Sequence, residues 1–477
     1  MLINEVENQA AELIKHLQAL EDSYQSDSAL LRVELPLPMI NLFSWLSTQS
    51  FSGRCYWQDR NSDIKIAGLG RSWSQVVNNK EEAGEVFLTA HSKLPESGRC
   101  LSYLSFSDKP HMVWPQFGYG EFFVPLIEIV QRRKGCFLAC NLSRDSKEAW
   151  RESLSQARQC LETINWQLTD PDWDYMLAAP RFRPCPDRWQ SLMEKTMAAI
   201  GQNNLKKVVL SRETRMALNG HLDLWVLLQQ WQVINPRSYV FAFEADNGDF
   251  FFGCSPERLF SRVDGVIHTE ALAGTTSRGE SRDEDFRLEL RLLNDAKNIH
   301  ENNLVLDDIR QRLNEVCDSL EFDRSHSVVK LKRIQHLRHL IRGVLKQHIG
   351  DGELFSALHP TPAVGGTGRE EAMAFIESEE GYSRGLYAGT CGVIGDRKSE
   401  FTVSIRSALL RNNSLSLFSG AGIVDGSKAW EEWSELNNKI ATLLTLLGEQ
   451  EIPESCWNSQ ETINSTGFAH DFSHQAS

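Results

Sequence analysis

Strands that come in pairs constrain this fold more than any other feature of the sequence. Residues 238–245 (SYVFAFEA) and 249–253 (DFFFG) are rich in aromatic and apolar side chains, and an Asn-Gly dipeptide lies between them. An Asn-Gly turn between two such runs is a strong signal for a β-hairpin. Residues 402–406 (TVSIR) and 414–419 (SLSLFS) alternate in the same way around an Asn-Asn turn and predict a second hairpin. Hairpins join antiparallel strands, so the pattern predicts an antiparallel sheet.

Helical segments alternate with these strands. The spacing of apolar residues predicts helices over residues 2–24, 187–203, 283–320 and 428–447, and a short strand over residues 207–211 (KVVLS). Long helices beside hairpin strands favour an α+β class with mainly antiparallel sheets over a doubly wound parallel sheet. No GxGxxG follows a strand and no GxxxxGK(S/T) occurs, so the sequence gives little support to nucleotide binding.

The chain of 477 residues is long enough for about three domains on length alone. Proline is frequent over residues 180–186, which predicts a bend between an N-terminal region, residues 1–184, and a second region, residues 185–450. Residues 451–477 are rich in Ser, Asn and Gln and carry four acids with no Lys or Arg. We therefore expect this tail to be mobile.

The charge balance limits the partners that the chain can have. There are 50 Lys and Arg against 64 Asp and Glu, a formal net charge of −14. Nucleic acids and anionic membranes select basic surfaces, so neither is expected as the main partner. No apolar run is long enough to span a membrane, and the acidic start does not resemble a secretory signal. Ten scattered cysteines without a CxxC pair fit a reducing compartment, so we expect a cytoplasmic protein.

Three short segments of the second region carry candidate catalytic or binding residues. Lys207 heads KVVLSR, where a lysine is either a surface group at a strand end or a base in a pocket. Glu257 follows a strand in CSPERLF and is either a capping carboxylate or a general acid with a raised pKa. The small residues of TEALAGT, ending in Gly274 and Thr275, form either a tight turn or a floor of N–H groups beside an anion.

The helical segments add carboxylates and cations. Glu432, Glu435 and Lys439 are spaced i, i+3 and i+7, so they share one helix face, and Glu301 lies in KNIHENN. Such a face is either an ion-pair ladder or part of a site for Mg²⁺, which prefers one or two carboxylates, several waters and an anionic substrate. Arg406, at the end of TVSIR, is suited to clamping a carboxylate.

A glycine pair and a histidine complete the set of candidates. Gly420 and Gly422 follow the strand SLSLFS and can offer backbone N–H groups to an anion. His359 begins the segment HPTP.

The order of these motifs is more specific than any one of them. KVVLSR, SPERLF, EALAGT, KNxxEN, HPTPAVGG, LYAGxxG, SIRSA, GAGIV and EWxELxNK follow one another through residues 207–439. In this the chain resembles the chorismate-utilising enzymes, which include isochorismate, salicylate, anthranilate and aminodeoxychorismate synthases. The resemblance covers roughly residues 185–447. In the first half, LPLPMINLFSWL and CYWQDRNSD are similar to the menaquinone-pathway isochorismate synthases.

The resemblance implies a fold and a cofactor. The fold is one large domain with two stacked, mainly antiparallel sheets, helices outside and the site between them, against the three domains that length alone suggests. The N-terminal region would then pack into the same body as the catalytic region. The cofactor is Mg²⁺, which would hold the ring carboxylate of chorismate.

The resemblance also implies roles for individual residues. Lys207 matches the base that activates water for attack at C2 of chorismate, and Glu257 matches the acid that protonates the departing C4 hydroxyl. The expected metal ligands are Glu301 and Glu435, with Glu432 nearby. The expected substrate contacts are Tyr387 and Arg406 on the enolpyruvyl carboxylate, Lys439 on a carboxylate, Gly274, Thr275, Gly420 and Gly422 through backbone or hydroxyl groups, and the pocket histidine His359.

Departures from other branches of the family favour one reaction. Members that use ammonia carry Gln where Lys207 stands, so the nucleophile should be water. Aminodeoxychorismate synthases often carry Lys where this chain has Ala273, and the LLES element of tryptophan-inhibited anthranilate synthases is absent. These features predict an isochorismate synthase. A salicylate synthase, which adds pyruvate loss, and a family member that binds chorismate without turnover remain the alternatives.

The biological setting is only partly predicted. The likeness of the first half favours menaquinone biosynthesis, while phylloquinone or siderophore synthesis stays open. No heptad seam appears, so we expect a monomer. We also expect no amidotransferase subunit.

Overall fold

A computed structural model describes residues 2–25, 29–108, 114–167, 173–202 and 204–449. The tail expected to be mobile, residues 451–477, lies outside the described residues. In the described part the helices are α1 Leu2–Ala19, α2 Leu42–Ser47, α3 Lys80–Lys93, α4 Lys147–Thr163, α5 Pro186–Gly201, α6 Leu224–Ile234, α7 Arg282–Leu292, α8 Ala296–Val316, α9 Asp351–Leu358, α10 Arg369–Glu379 and α11 Ala429–Leu446.

The strands divide between two sheets. In chain order they are β1 Leu30–Leu37, β2 Cys55–Gln58, β3 Ile64–Leu69, β4 Trp73–Val77, β5 Arg99–Leu104, β6 Gly120–Val124, β7 Ile127–Arg132, β8 Gly135–Ser143, β9 Asp174–Leu177, β10 Arg181–Arg183, β11 Lys207–His221, β12 Tyr239–Glu244, β13 Phe250–Ser255, β14 Arg258–Val263, β15 Val266–Ser277, β16 Cys317–Phe322, β17 Ser327–Lys330, β18 Ile334–Leu345, β19 Gly366–Thr367, β20 Thr390–Gly395, β21 Lys398–Val403, β22 Ser407–Arg411 and β23 Ser414–Ile423.

Both sheets are antiparallel. The first has the order β1-β8-β7-β3-β2-β12-β13-β22-β23-β11-β10, with β9 and β19 also paired to β11. The second has the order β16-β18-β15-β14-β21-β20-β5-β6-β4, with β17 paired to β18. With the helices, this confirms the predicted α+β class.

Aromatic side chains fill the space between the sheets. Tyr103 on β5 of the second sheet lies 5.0 Å from Phe243 on β12 of the first, centroid to centroid, and Phe123 lies 6.2 Å from the same ring. On the other face of the second sheet, Phe87 of α3 contacts Phe401 of β21. Aromatic burial of this kind, at roughly 25 cal/mol for each Å² removed from water, holds the layers together.

The N-terminal and catalytic regions share both sheets. Strand β2 pairs with β12, with Trp57 opposite Phe241, and β5 pairs with β20, with Leu101 opposite Val393. A boundary between independent domains would not be crossed by continuous sheets. The single large domain is therefore confirmed, and the three-domain estimate from length is wrong.

The hairpin predictions met different outcomes. The Asn247-Gly248 turn does join β12 to β13, and Gly248 has the positive φ of +85° that the turn requires. The first strand of the second predicted hairpin is wrong, because TVSIR belongs to the end of β21 and the loop that follows it. The strand that pairs with β23 across the Asn-Asn turn is β22.

The helix predictions are confirmed, apart from one segment. The predicted helix over residues 283–320 is two helices, α7 and α8, and its last four residues belong to the strand β16. The break falls at Asp295, whose side chain accepts from the N–H of Asn298 and so caps the start of α8. Among the described residues, no helix combines the length and apolar character needed to cross a lipid bilayer.

Candidate active site

A cavity lies where strands from the first and second sheets meet α8 and α11. Its lining contains ten of the thirteen residues predicted from the sequence: Glu257, Gly274, Thr275, Glu301, Tyr387, Arg406, Gly420, Gly422, Glu435 and Lys439. Since these residues come from segments as distant as 257 and 439, the fold gathers motifs that the sequence keeps apart.

Lys207 lies beneath this lining. It is the first residue of β11, fully buried, and its Nζ lies 3.0 Å from Oε1 of Glu301 on α8. The alternative of a surface lysine at a strand end is therefore wrong. A buried amine beside the cavity has the position that a base requires, although its catalytic role stays a prediction.

Glu257 lies in the cavity wall, in the loop between β13 and β14. The hydroxyl of Thr361 donates to its Oε1 at 3.3 Å, and its backbone carbonyl accepts from the N–H of Val403 at 3.1 Å. Burial, together with the negative charge of Glu270, raises the pKa of Glu257 to about 8. The carboxyl group thus holds a proton near neutral pH, as a general acid must.

Arg406 occupies the crossover between the sheets. It lies between β21 and β22 with a left-handed φ of +49°, a strained conformation for a side chain larger than glycine. Its Nη2 donates to Nε2 of His336 at 3.2 Å, and its Nη1 donates to the carbonyl of Lys439 at 3.3 Å. Burial lowers its pKa to about 10, so the guanidinium stays charged at neutral pH.

His336 connects Arg406 to Thr275. Burial and the charges of Arg406 and Lys439 lower the pKa of His336 well below its usual value, so its ring is neutral. Because Nε2 accepts from Arg406, the proton of the ring lies on Nδ1, which then donates to Oγ1 of Thr275 at 2.9 Å. The hydroxyl hydrogen of Thr275 is left free to donate into the cavity.

One backbone contact differs from the expected floor of N–H groups. The pairing of β15 with β18 shifts register at Gly274, which has φ +82°. This bulge turns the N–H of Thr275 toward α8, where it donates to Oδ1 of Asn298 at 2.9 Å. Thr275 therefore offers its hydroxyl to the cavity rather than its amide.

The two glycines of β23 make room for other side chains. A Cβ at Gly420 would lie 2.8 Å from the hydroxyl of Tyr387, and a Cβ at Gly422 would lie 2.4 Å from Oε1 of Glu301 and 3.0 Å from Cε of Lys207. Strand β22 pairs with β23 only up to Leu417, so it leaves that edge uncovered beside the cavity. Both glycines are needed for close approach, whatever their hydrogen-bonding role.

Each carboxylate of the predicted metal set faces a lysine. Glu301 contacts Lys207, Glu435 contacts Lys439 at 2.6 Å, and Glu432 contacts Lys297 at 3.0 Å. Glu432 is buried outside the cavity lining, and burial with the charge of Glu435 raises its pKa to about 7. In the described part of the chain no three His, Cys, Asp or Glu side chains form a ready-made metal cluster.

His359 does not line the cavity. Its ring is buried, stacks on Phe355 of α9 at 5.2 Å and meets the edge of Phe106. Burial and the charge of Lys80 lower its pKa to about 3. The HPTP segment supports the site instead through Thr361, two residues later, whose hydroxyl donates to Glu257.

Two residues of the site, one in the cavity lining and one behind it, were not singled out from the sequence. His336 lies in IQHLRHL, where the alternation of apolar and polar residues marks the strand β18 but does not show which histidine faces the cavity. Glu270 precedes Ala271 in TEALAGT and supports Glu257 from behind. A carboxylate inside an otherwise uncharged strand is the signal that could have found it.

The chain matches the family model of the chorismate binding enzymes over residues 15–448. The chain belongs to the chorismate binding enzymes. This confirms the resemblance drawn from the nine motifs and extends it through most of the N-terminal region.

Members of this family with assigned activities resemble the chain over nearly its whole length. Isochorismate synthase MenF of Haemophilus influenzae is 32% identical, with 92% of this chain and 97% of that protein covered. Isochorismate synthase MenF of Bacillus subtilis is 31% identical, with 86% and 91% covered. The structure of the menaquinone-specific isochorismate synthase MenF from Escherichia coli superimposes with a TM-score of 0.81 at 30% identity, covering 92% of this chain and 98% of that one.

Proposed function

We propose that this chorismate binding enzyme is an isochorismate synthase, which interconverts chorismate and isochorismate by adding water at C2 and expelling the C4 hydroxyl. One observation carries the proposal: the cavity combines a buried lysine, Lys207, with a carboxyl group, Glu257, that keeps its proton near neutral pH. The names of the relatives aligned over most of the chain agree with it.

The two groups divide the chemistry between them. Lys207 accepts a proton from the attacking water, and Glu257 donates a proton to the leaving hydroxyl. In the reverse direction the roles exchange, so each group serves as acid in one direction and base in the other. The hydroxyl at C4 is replaced by a hydroxyl at C2, so similar bonds break and form and the equilibrium lies near unity.

Cations of the cavity account for substrate binding. Chorismate is a dianion, and the protein as a whole is strongly acidic, so a local positive region is required. Arg406 and Lys439 both line the cavity, and Tyr387 lies beside Gly420 with its hydroxyl available. We assign Arg406 and Tyr387 to the enolpyruvyl carboxylate, with the hydroxyl of Thr275 as a further donor.

The donor set fits Mg²⁺. Glu301 and Glu435 both line the cavity, and their oxygens are the hard ligands that Mg²⁺ prefers, in the number that leaves room for waters and a substrate carboxylate. Glu432 supports the same helix face from outside the lining. When bound, the ion supplies positive charge for the ring carboxylate. Glu301 also contacts Lys207, so the same carboxylate would serve as a metal ligand and as the neighbour of the base.

The biological setting follows from the relatives and from cysteine chemistry. We assign the product to menaquinone biosynthesis, because the E. coli structure that superimposes with a TM-score of 0.81 is menaquinone-specific. A cytoplasmic location is supported by the nine cysteines in the described residues, which are all free. We further propose a monomer that needs no amidotransferase subunit, because its nucleophile is water.

Incubation of the purified protein with chorismate and Mg²⁺, followed by chromatography, tests the proposal. We expect a mixture of chorismate and isochorismate that is the same from either starting compound. Lys207→Ala and Glu257→Gln, purified in parallel, should bind chorismate but not form the mixture. Salicylate with stoichiometric pyruvate would instead identify a salicylate synthase, and binding without turnover would identify a non-catalytic member.

A further inference from the structure

A buried ion pair behind the cavity joins the N-terminal region to the loop that carries Glu257. Arg60 follows β2 and donates from Nη1 and Nη2 to the two carboxylate oxygens of Glu270 on β15, at 2.5 and 3.1 Å. The side chain of Glu270 is fully buried and that of Arg60 is 11% exposed. A two-point contact between a guanidinium and a carboxylate fixes both position and orientation, so the pair is a rigid anchor.

The same pair holds the backbone on both sides of Glu257. Nη1 of Arg60 also donates to the carbonyl of Pro256 at 3.1 Å, and Oε1 of Glu270 accepts from the N–H of Arg258 at 3.1 Å. The residues immediately before and after Glu257 are thus both bound to one ion pair. Such an arrangement limits the directions in which the carboxyl group can point.

Glu270 also contributes the negative charge that faces Glu257 from behind. Besides Arg60 and Arg258, the charged and titratable groups that act on Glu257 include Glu270 on β15, Lys207 on β11, Lys439 on α11, Arg406 before β22 and Tyr387 before β20. Of the charged groups among these, only Glu270 is an anion. It therefore favours the protonated form of its neighbour, while the two lysines oppose this.

We propose that Glu270 and Arg60 are positioning residues for the acid, a proposal that rests on the role of Glu257 given above. The pair aims the carboxyl group of Glu257 into the cavity and keeps an anion behind it, so that Glu257 meets the substrate as a proton donor. Neither residue lines the cavity, so both act through Glu257 rather than on the substrate.

Steady-state kinetics of Glu270→Gln across a range of pH tests this role. We expect kcat to fall about 10- to 100-fold, less than the ~10²–10⁴-fold that a general acid typically contributes, because Glu257 itself is still present, while KM for chorismate changes less than about twofold. The basic limb of the kcat/KM profile should move to lower pH, because the anion behind Glu257 is gone. Arg60→Lys keeps the charge of the pair, so it should leave that limb in place and retain more activity than Arg60→Met.

Two comparisons separate positioning from damage to the fold. Glu128→Gln removes the carboxylate of another buried ion pair, with Arg32, in strands away from the cavity. It should lower stability without changing kcat or the basic limb of the kcat/KM profile. In a Glu257→Gln background, Glu270→Gln should cause no further loss. If Glu270→Gln and Arg60→Met keep the parental kcat and limb while Glu257→Gln is inactive, the positioning role is wrong. An active Glu257→Gln would overturn the acid assignment and, with it, this proposal.

Discussion

Replacing Glu257 by glutamine should stabilise the protein at high pH while removing its activity. Burial and the charge of Glu270 raise the pKa of Glu257 from 4.5 to about 8. Below the pKa of the unfolded state, Glu257 is protonated in both states, so its ionisation does not change the free energy of unfolding. Between the two values only the unfolded state ionises, and the parent loses stability as pH rises until the folded group ionises too. At about 1.4 kcal/mol for each pKa unit, the full loss is on the order of 5 kcal/mol.

Glutamine has nearly the same shape and never ionises, so the variant escapes this loss. We expect the advantage of Glu257→Gln in free energy of unfolding to grow by about 4 kcal/mol between about pH 5 and about pH 8.5. Urea denaturation followed by tryptophan fluorescence at both pH values measures it. Glu7→Gln, at an exposed position on α1, serves as the control and should show no such growth. An advantage of Glu257→Gln that stays constant with pH would refute the view that Glu257 is protonated in the folded state.

Other substitutions address the remaining groups of the site. Lys207→Ala should fold normally and lose turnover by ~10²–10⁴-fold in a chromatographic assay, and near-parental turnover would exclude Lys207 as the base. Glu301→Gln and Glu435→Gln should each raise the Mg²⁺ concentration for half-maximal activity, and a wild-type enzyme that stays fully active in EDTA would contradict the metal assignment. Gly422→Ala should reduce kcat steeply because its Cβ would displace Glu301 and Lys207, whereas Gly265→Ala, with open space around it, should leave kcat unchanged.

The sequence predicted which residues form the site, but it did not predict the detailed geometry around Arg406 and Thr275. The nine motifs, taken in their order along the chain, and the hairpin turns located the cavity residues. These features are visible in short segments of sequence, because they depend on local chain conformation and on the chemical groups of individual residues. The crossover at Arg406 was assigned to a hairpin, since no local pattern shows that a strand ends in one sheet and the next begins in the other. The bulge at Gly274 was not predicted either, and it directs the N–H of Thr275 to Asn298 instead of into the cavity.

Contacts between distant segments were beyond the reach of sequence patterns. Arg60 and Glu270 are 210 positions apart, and their pairing follows from the shared body of the two regions rather than from either segment. His359 shows the opposite error, because a motif placed it in the cavity while packing against Phe355 placed its ring outside. Side-chain direction is set by tertiary packing, which a motif does not encode.

Water is the nucleophile in the proposed reaction, and isotope labelling tests this directly. The purified enzyme is incubated with chorismate and Mg²⁺ in water enriched in oxygen-18, and the products are separated and weighed by mass spectrometry. We expect isochorismate that carries one heavy oxygen at C2, with no release of pyruvate. Isochorismate without the label would show that the hydroxyl moves within the substrate, and this result would contradict the roles given to Lys207 and Glu257.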